Sequence, residues 1–534
     1  MLTKRLALSM GMLFVLLVTY ACGGAAATQS PPPAREESAA PIEPAATQAY
    51  APEDYSYESP AQPKLSAPMG SPPNSKGGEP YDMFFEDYGV NPSIDTEDDH
   101  LSTFALDVDT GSYTIMRNYL SEGNLPPPDS VRVEEYVNYF DQGYPLPPPH
   151  QAFGITINGA PSPFSETERY SMLRVGIQGY DVPDSERKDV SLTFVIDVSG
   201  SMDMDNRLGL VKRSLELLVE RLHRNDRVSI VVYGTDARVV LDPTPGSEKG
   251  RILRAIHRLQ PEGVTNAEAG LRLGYKMATR AYNPQGVNRV ILCSDGVANI
   301  GETEWEAILH EVRGYVEEGV MLTSIGFGMD NYNDVLMEQL ADNGNGFYAY
   351  VDDMNEAERL FIDDLTGSLQ TIALDAKVQV DFNPEVVARY RLVGYENRDV
   401  ADEDFRDNTV DAGEVGAGHT VTALYEVKLY PQAFGRIATV YMRWQDPDTR
   451  QVVELSKDFD AYQMSESFRR ADPHFQWSVV VAEYAEILRD SYWAEDSSLE
   501  AVYKEAQWVS EYLPRDEAVS EFVELVRKAR RLMD

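Results

Sequence analysis

Ser191-Leu192-Thr193-Phe194-Val195-Ile196-Asp197-Val198-Ser199-Gly200-Ser201-Met202 is the stretch that decides the fold. An apolar run of strand length ends in an acidic, hydroxyl-rich turn. Beyond the turn, Leu208, Val211, Leu215, Leu218 and Leu222 recur at three- and four-residue spacing, which is the stripe of a packed helix. The alternation continues. Residues 228–233 and 238–241 read as strands, 267–282 as a helix and 289–293 as a strand, and Trp305, Ile308, Val312 and Tyr315 mark another helix face. Residues 320–325 and 346–350 read as strands, with helices at 334–340 and 355–365. Strands alternating with helices predict an α/β fold, a doubly wound and mostly parallel sheet covered on both faces.

Outward from this unit the pattern changes. Residues 153–157 and 171–177 before it, and the stretch from 376 to about 459 after it, have the β-branched and aromatic content of strands. The α/β unit is therefore expected to be inserted in a β-rich accessory domain built from residues 150–188 and 376–460. From residue 465 onward the chain reads as helices. Upstream, residues 103–109 read as a strand, Thr110 as the cap of a helix running to about 120, and residues 131–140 as a second helix after Leu125-Pro126-Pro127-Pro128.

The N-terminus reads as an address. Lys4 and Arg5 precede an apolar stretch at residues 6–18, of signal-peptide length and short for a membrane span. Thr19-Tyr20-Ala21-Cys22-Gly23-Gly24 follows and resembles a bacterial lipoprotein signal, in which Cys22 is lipidated. Thr19 and Tyr20 depart from the usual residues of that signal. Residues 23 to about 97 are rich in Pro, Ala, Ser and Glu and predict a disordered tether. The expected segments are 1–22 signal and lipidation site, 23–97 tether, 98–189 N-terminal region with accessory strands, 190–368 α/β domain, 369–462 β-rich domain and 463–534 helical region.

At 534 residues the chain has room for two or three folded units. With 87 acidic and 47 basic residues the net charge is -40, which opposes nucleic-acid binding. Two cysteines, Cys22 and Cys293, exclude a disulfide framework.

The chemistry is expected at the end of the first α/β strand. In an extended segment alternate residues point the same way, so Asp197, Ser199 and Ser201 present three oxygens to one point. They stand at the carboxyl end of a strand, where open parallel sheets place ligands. Cys293-Ser294-Asp295-Gly296 puts a second carboxylate on the same rim, and Gly263-Val264-Thr265-Asn266 offers a hydroxyl from a loop before a helix. Two carboxylates and three hydroxyls suit a hard cation, Mg²⁺ first, with Mn²⁺ or Ca²⁺ as substitutes. No His or thiolate cluster supports zinc, and no phosphate loop or nucleophile elbow supports a nucleotide enzyme or a serine hydrolase.

The series Asp-x-Ser-x-Ser, later Thr, later Ser-Asp-Gly resembles the metal-ion-dependent adhesion site of von Willebrand factor type A (vWA) domains, with matches at Asp197, Ser199, Ser201, Thr265 and Asp295. Ser102-Thr103-Phe104 through Thr110, residues 125–135 and residues 483–491 resemble the flanking regions of a bacterial lipoprotein family with an embedded vWA domain. The resemblance implies that a partner's acidic residue completes the metal's shell. It implies no enzymatic activity. The expected function is a metal-dependent, non-enzymatic protein-binding module on the bacterial cell envelope, held to the membrane through its lipid anchor. In a Gram-negative cell that means the outer membrane or periplasm. The alternatives are a structural or assembly factor whose metal only stabilises the fold, or a non-catalytic accessory subunit. Cys293 is expected as a buried strand residue, and Asp107-Val108-Asp109 as a structural strand end.

Overall fold

Strand Val190–Asp197 is buried along its whole length because both of its faces are covered. Leu192, Phe194 and Ile196 pack with Val211, Leu215 and Leu218 of helix Arg207–Arg221 in one core. Val195 points to the opposite core, against Leu271, Tyr275 and Ala278 of helix Ala267–Ala281. Full burial of each large apolar side chain stabilises the fold by about 1.5–3 kcal/mol. The sheet runs in the order Tyr348–Tyr350, Met321–Gly326, Val287–Ser294, Val190–Asp197, Arg227–Tyr233, Ala237–Pro245. All neighbours are parallel except the edge strand Ala237–Pro245, which runs antiparallel to Arg227–Tyr233. This is the doubly wound α/β sheet predicted from residues 191–350.

The computed structural model describes residues 81–533, apart from residue 82 and residues 166–169, 297–301, 330–331, 365–368 and 433. The expected signal peptide, Cys22 and most of the tether lie outside the described residues. Among the described residues no helix is long and apolar enough to cross a membrane.

The insertion is visible in the strand pairing. Tyr170–Gly179, ahead of the α/β unit, pairs antiparallel with Thr420–Leu429, which lies beyond it. Their sheet has the order Ile94–Asp95, Val387–Val393, Thr420–Leu429, Tyr170–Gly179, Phe153–Pro161. In a second sheet Thr371–Phe382 takes Arg436–Gln445, Gly413–Gly416 and Leu101–Ala105 as partners. The two sheets share one core, in which Phe104, Val378 and Val380 meet Val175, Ile177 and Tyr425. Helices Pro473–Leu488, Leu499–Ser510 and Glu517–Met533 form a further core with Gly111–Ser121 and Val133–Asn138, centred on Tyr113, Phe140, Trp477 and Phe522.

Local details depart from the sequence reading. The end of the tether, placed at about 97, is ordered: Met83–Phe84 pairs with Tyr332–Asn333, and Ile94–Asp95 with Arg389 and Tyr390. Both partners are distant in the chain, so local composition carries no trace of them. The strand read over 103–109 stops at Ala105, because Asp107 Oδ1 accepts the Asp109 N–H at 2.9 Å and turns the chain. Thr110 makes no side-chain cap bond; its hydroxyl accepts from Arg359 at 3.0 Å instead. The helix read over 131–140 is the shorter Val133–Asn138, and the last α/β helix passes from α-helix Met354–Glu358 into a π-turn at Arg359–Asp364.

Candidate metal centre

Asp197 ends its strand, and the neighbouring strand lies in parallel register with Ile196 opposite Cys293. Asp197 and Asp295 thus leave adjacent strands at the same carboxyl edge. The turn after Asp197 is fixed by its own hydrogen bonds. Asp197 Oδ1 accepts the Ser199 N–H at 2.8 Å, and Oδ2 accepts from the Ser294 hydroxyl at 3.2 Å. The hydroxyls of Ser199 and Ser201 lie 3.0 Å apart. The Met202 N–H closes on the Ser199 carbonyl at 3.1 Å, and its fully buried side chain anchors the turn in the core.

The third loop is bonded to the first. The Gly200 N–H donates to the Gly263 carbonyl at 3.2 Å, and the Glu262 N–H to the Val198 carbonyl at 2.5 Å. Gly263 has φ +78°, and a Cβ there would stand 2.4 Å from Thr235 Oγ1, so the close approach requires glycine. Two residues on, Thr265 is partly exposed, and Asn266 caps helix Ala267–Ala281 by accepting the Ala269 N–H at 3.1 Å. Ser199, Ser201, Asp197 and Asp295 are joined through hydrogen bonds among themselves and to Ser294. Thr265 is carried alongside on its loop and bonds none of them among the described residues.

Both carboxyls are held above their ordinary range. Burial, and then the charge of Asp295, push Asp197 up to about 6. Burial also raises Asp295, opposed by hydrogen bonds from Ser201 and Arg207. Burial is the first cause of both shifts, and the groups bonded to Asp197 are a backbone N–H and a neutral hydroxyl. This donor set fits a hard dication. Cys293 lies one residue before Ser294 but is fully buried in the core, and burial drives its thiol far above the usual range, so it offers no soft ligand.

Two residues of the rim escaped the sequence reading. Ser294 supports Asp197 as described. Arg207, the first residue of helix Arg207–Arg221, donates from Nη1 to Asp295 Oδ2 at 2.9 Å. A basic residue at a helix N-terminus, against the dipole, was the available signal.

Among the described residues two other acidic groups converge elsewhere. Asp107, Asp109 and Glu338 are buried together, but the Arg398 guanidinium stands among them, 3.0 Å from Asp107, 3.5 Å from Asp109 and 3.2 Å from Glu338. Asp375, Asp411 and Glu414 form a second group, nearer the surface.

Comparison with known proteins bears on most of the chain. The von Willebrand factor type A domain family matches residues 192–297, von Willebrand factor matches 79–173, and the C-terminal region of the uncharacterized protein YfbK matches 367–532. YfbK of Escherichia coli K12 is 35% identical over 479 residues, covering 84% of this chain and 81% of the relative. The chain belongs to the YfbK family. The matched C-terminal region takes in both the β-rich segment and the terminal helices. The vWA domain of this YfbK-family chain is the unit that carries Asp197, Ser199, Ser201, Thr265 and Asp295. The uncharacterized protein sll0103 of Synechocystis is 30% identical over 191 residues, 35% of this chain and 44% of the relative. Among solved structures, a von Willebrand factor type A protein from Catenulispora acidiphila aligns with a TM-score of 0.45 at 15% identity, over 73% of this chain and 91% of that one.

Proposed function

We propose that this vWA protein is a divalent-metal-dependent protein-binding module of the bacterial cell envelope, without enzymatic activity, anchored through lipidated Cys22. The observation that carries the reading is the convergence of Asp197, Ser199, Ser201 and Asp295 on one rim, with both carboxyls raised and neutral hydroxyls between them. Asp197 and Ser199 are buried and positioned by backbone and side-chain hydrogen bonds, while Ser201 and Thr265 reach the surface. Mg²⁺ bound there supplies a Lewis-acid position that a partner's Asp or Glu can complete. Asp197, Ser199, Ser201, Thr265 and Asp295 would hold the ion, with Ser201 and Thr265 on the exposed side. Val264, 67% exposed, and Met204, 42% exposed, lie on segments next to Thr265 and Ser201 and offer apolar contact at the rim.

The test has two parts. Isothermal titration of Mg²⁺ into wild type, Asp197→Ala and Thr265→Ala is expected to show binding that Asp197→Ala abolishes and Thr265→Ala weakens. Affinity capture from envelope extracts, in Mg²⁺ or chelator, is then expected to retain a partner only on metal-loaded wild type while the variants stay folded. Capture that is indifferent to metal and to both substitutions would overturn the recognition role and leave the metal a structural one.

A further inference from the structure

The rim holds a positive charge of its own. Arg207 follows directly on the Gly200–Asn206 turn that carries Ser201, and its side chain is buried. Its Nη1 lies 2.9 Å from Asp295 Oδ2, an ion pair between two side chains that are each about 95% buried. The backbone opposite is shaped to admit it. Gly328 has φ +85°, and a Cβ there would stand 2.1 Å from Arg207 Nε and 2.4 Å from its Cδ. The stem and guanidinium are thus seated against the loop after strand Met321–Gly326 and pointed at the metal-site carboxylate. The placement runs against the helix dipole, since a cation in the first turn of a 15-residue helix is unfavourable. Asp295 offsets that cost.

The consequence follows from charge. Of the two carboxylates in the predicted ligand set, one is already paired with the Arg207 guanidinium. A dication entering the rim meets the full charge of Asp197 and a partly neutralised Asp295. It also meets the repulsion of Arg207 in a site where water screens little. We propose that Arg207 is a built-in counter-charge that lowers the affinity of the centre for its cation, so that occupancy follows the surrounding metal concentration and the bound ion keeps charge for an outside carboxylate. Arg207 acts through Asp295 and is a positioning residue. The inference rests on the metal-centre reading above.

Titration of Mg²⁺ into the full chain at pH 7.5 and low salt, with Mn²⁺ binding followed by electron paramagnetic resonance, tests it. Arg207→Gln is expected to bind both ions about tenfold more tightly or better. Arg207→Met, which keeps the apolar stem, is expected to do the same, and Arg207→Lys, which keeps the charge, to stay within about threefold of wild type. Tightening is the decisive readout, because damage to the fold only weakens a site. Unchanged or weaker binding in both neutral variants, with circular dichroism and melting intact, overturns the role of Arg207 and leaves the metal centre standing. No binding in wild type or any variant overturns both.

Discussion

At the carboxyl edge of the sheet, Asp197 and Asp295 face one guanidinium and the hydroxyls of Ser199, Ser201 and Ser294. Where the α/β unit meets the accessory parts, Asp107, Asp109, Glu338 and Asp342 close around Arg398, while Glu135, Asp334 and Glu338 close around Arg132. Both regions bury carboxylates, and burial costs each of them alike. The belt meets the cost with arginines that reach several oxygens at once, and with protons: burial first, then nearby carboxylates, push Glu134 up to about 8, and burial likewise takes Glu338 to about 8. The rim leaves Asp197 on a backbone N–H and a hydroxyl, which can turn toward a cation, and Asp295 beside a single guanidinium. The difference separates a staple from a site. A cluster whose positions are filled by fixed guanidinium groups joins segments. One that leaves Asp197 on neutral donors and opens at Ser201 and Thr265 is the proposed ion site.

The largest effect is expected at the belt. Arg398 comes from the accessory part and pairs with Glu338 and Asp342 of the α/β helix Asp334–Asn343, as well as with Asp107 and Asp109. Arg398→Ala strands these acids without a cation, and loss of one partner of a buried pair costs about 3–5 kcal/mol. Urea denaturation is expected to show a loss of that order, and saturating Mg²⁺ to restore none of it. A loss below about 1 kcal/mol, or recovery with Mg²⁺, would break the distinction between the two clusters.

The next effect is a pH dependence of the rim. Asp197 rises from an ordinary 3.8 to about 6 in the folded protein. Between those values the native state holds a proton that the unfolded chain has released, so this group's contribution to stability falls as pH rises through the window. The loss amounts to about 3 kcal/mol by linkage. A cation that compensates the carboxylate reverses it. The melting-temperature gain on adding Mg²⁺ is therefore expected to be larger at pH 8 than at pH 5, and Asp197→Asn to abolish the difference. Equal gains at both pH values would place the cation elsewhere.

How far the sequence reaches depends on how local the signal is. The α/β sheet was legible because its strands are short apolar runs and its helices carry unbroken stripes, as at Leu208, Val211, Leu215 and Leu218. The convergence of Asp197 and Asp295 was legible for a related reason: in a parallel sheet strand ends share one edge, so the two carboxyls meet without further information. The ordering of residues 83–95 was not legible, since it depends on pairing with residues 332–333 and 389–390. Nor was the Asp107–Arg398 pair, which joins residues 291 positions apart. Thr110 as a cap failed for the same reason: a distant Arg359 took its hydroxyl.

The smallest effect separates recognition from metal binding at the rim itself. Val264 is 67% exposed and sits between Gly263, whose carbonyl binds the Asp-x-Ser-x-Ser turn, and Thr265. An exposed β-branched side chain there does little for the fold, so Val264→Ser is expected to change stability by less than about 0.5 kcal/mol. It removes no oxygen from the ligand set and adds no charge, so Mg²⁺ affinity is expected to stay within about twofold. If a partner's carboxylate reaches the metal, the partner's neighbouring surface covers Val264, and losing that apolar contact costs about 1–2 kcal/mol, or roughly a tenfold weaker complex. Biolayer interferometry on the captured partner measures it. Loss of partner affinity with Mg²⁺ affinity intact assigns Val264 to the recognition surface. Loss of neither means that the partner approaches from the Met204 side or that the rim binds metal without a partner, and Met204→Ser, measured the same way, decides between them.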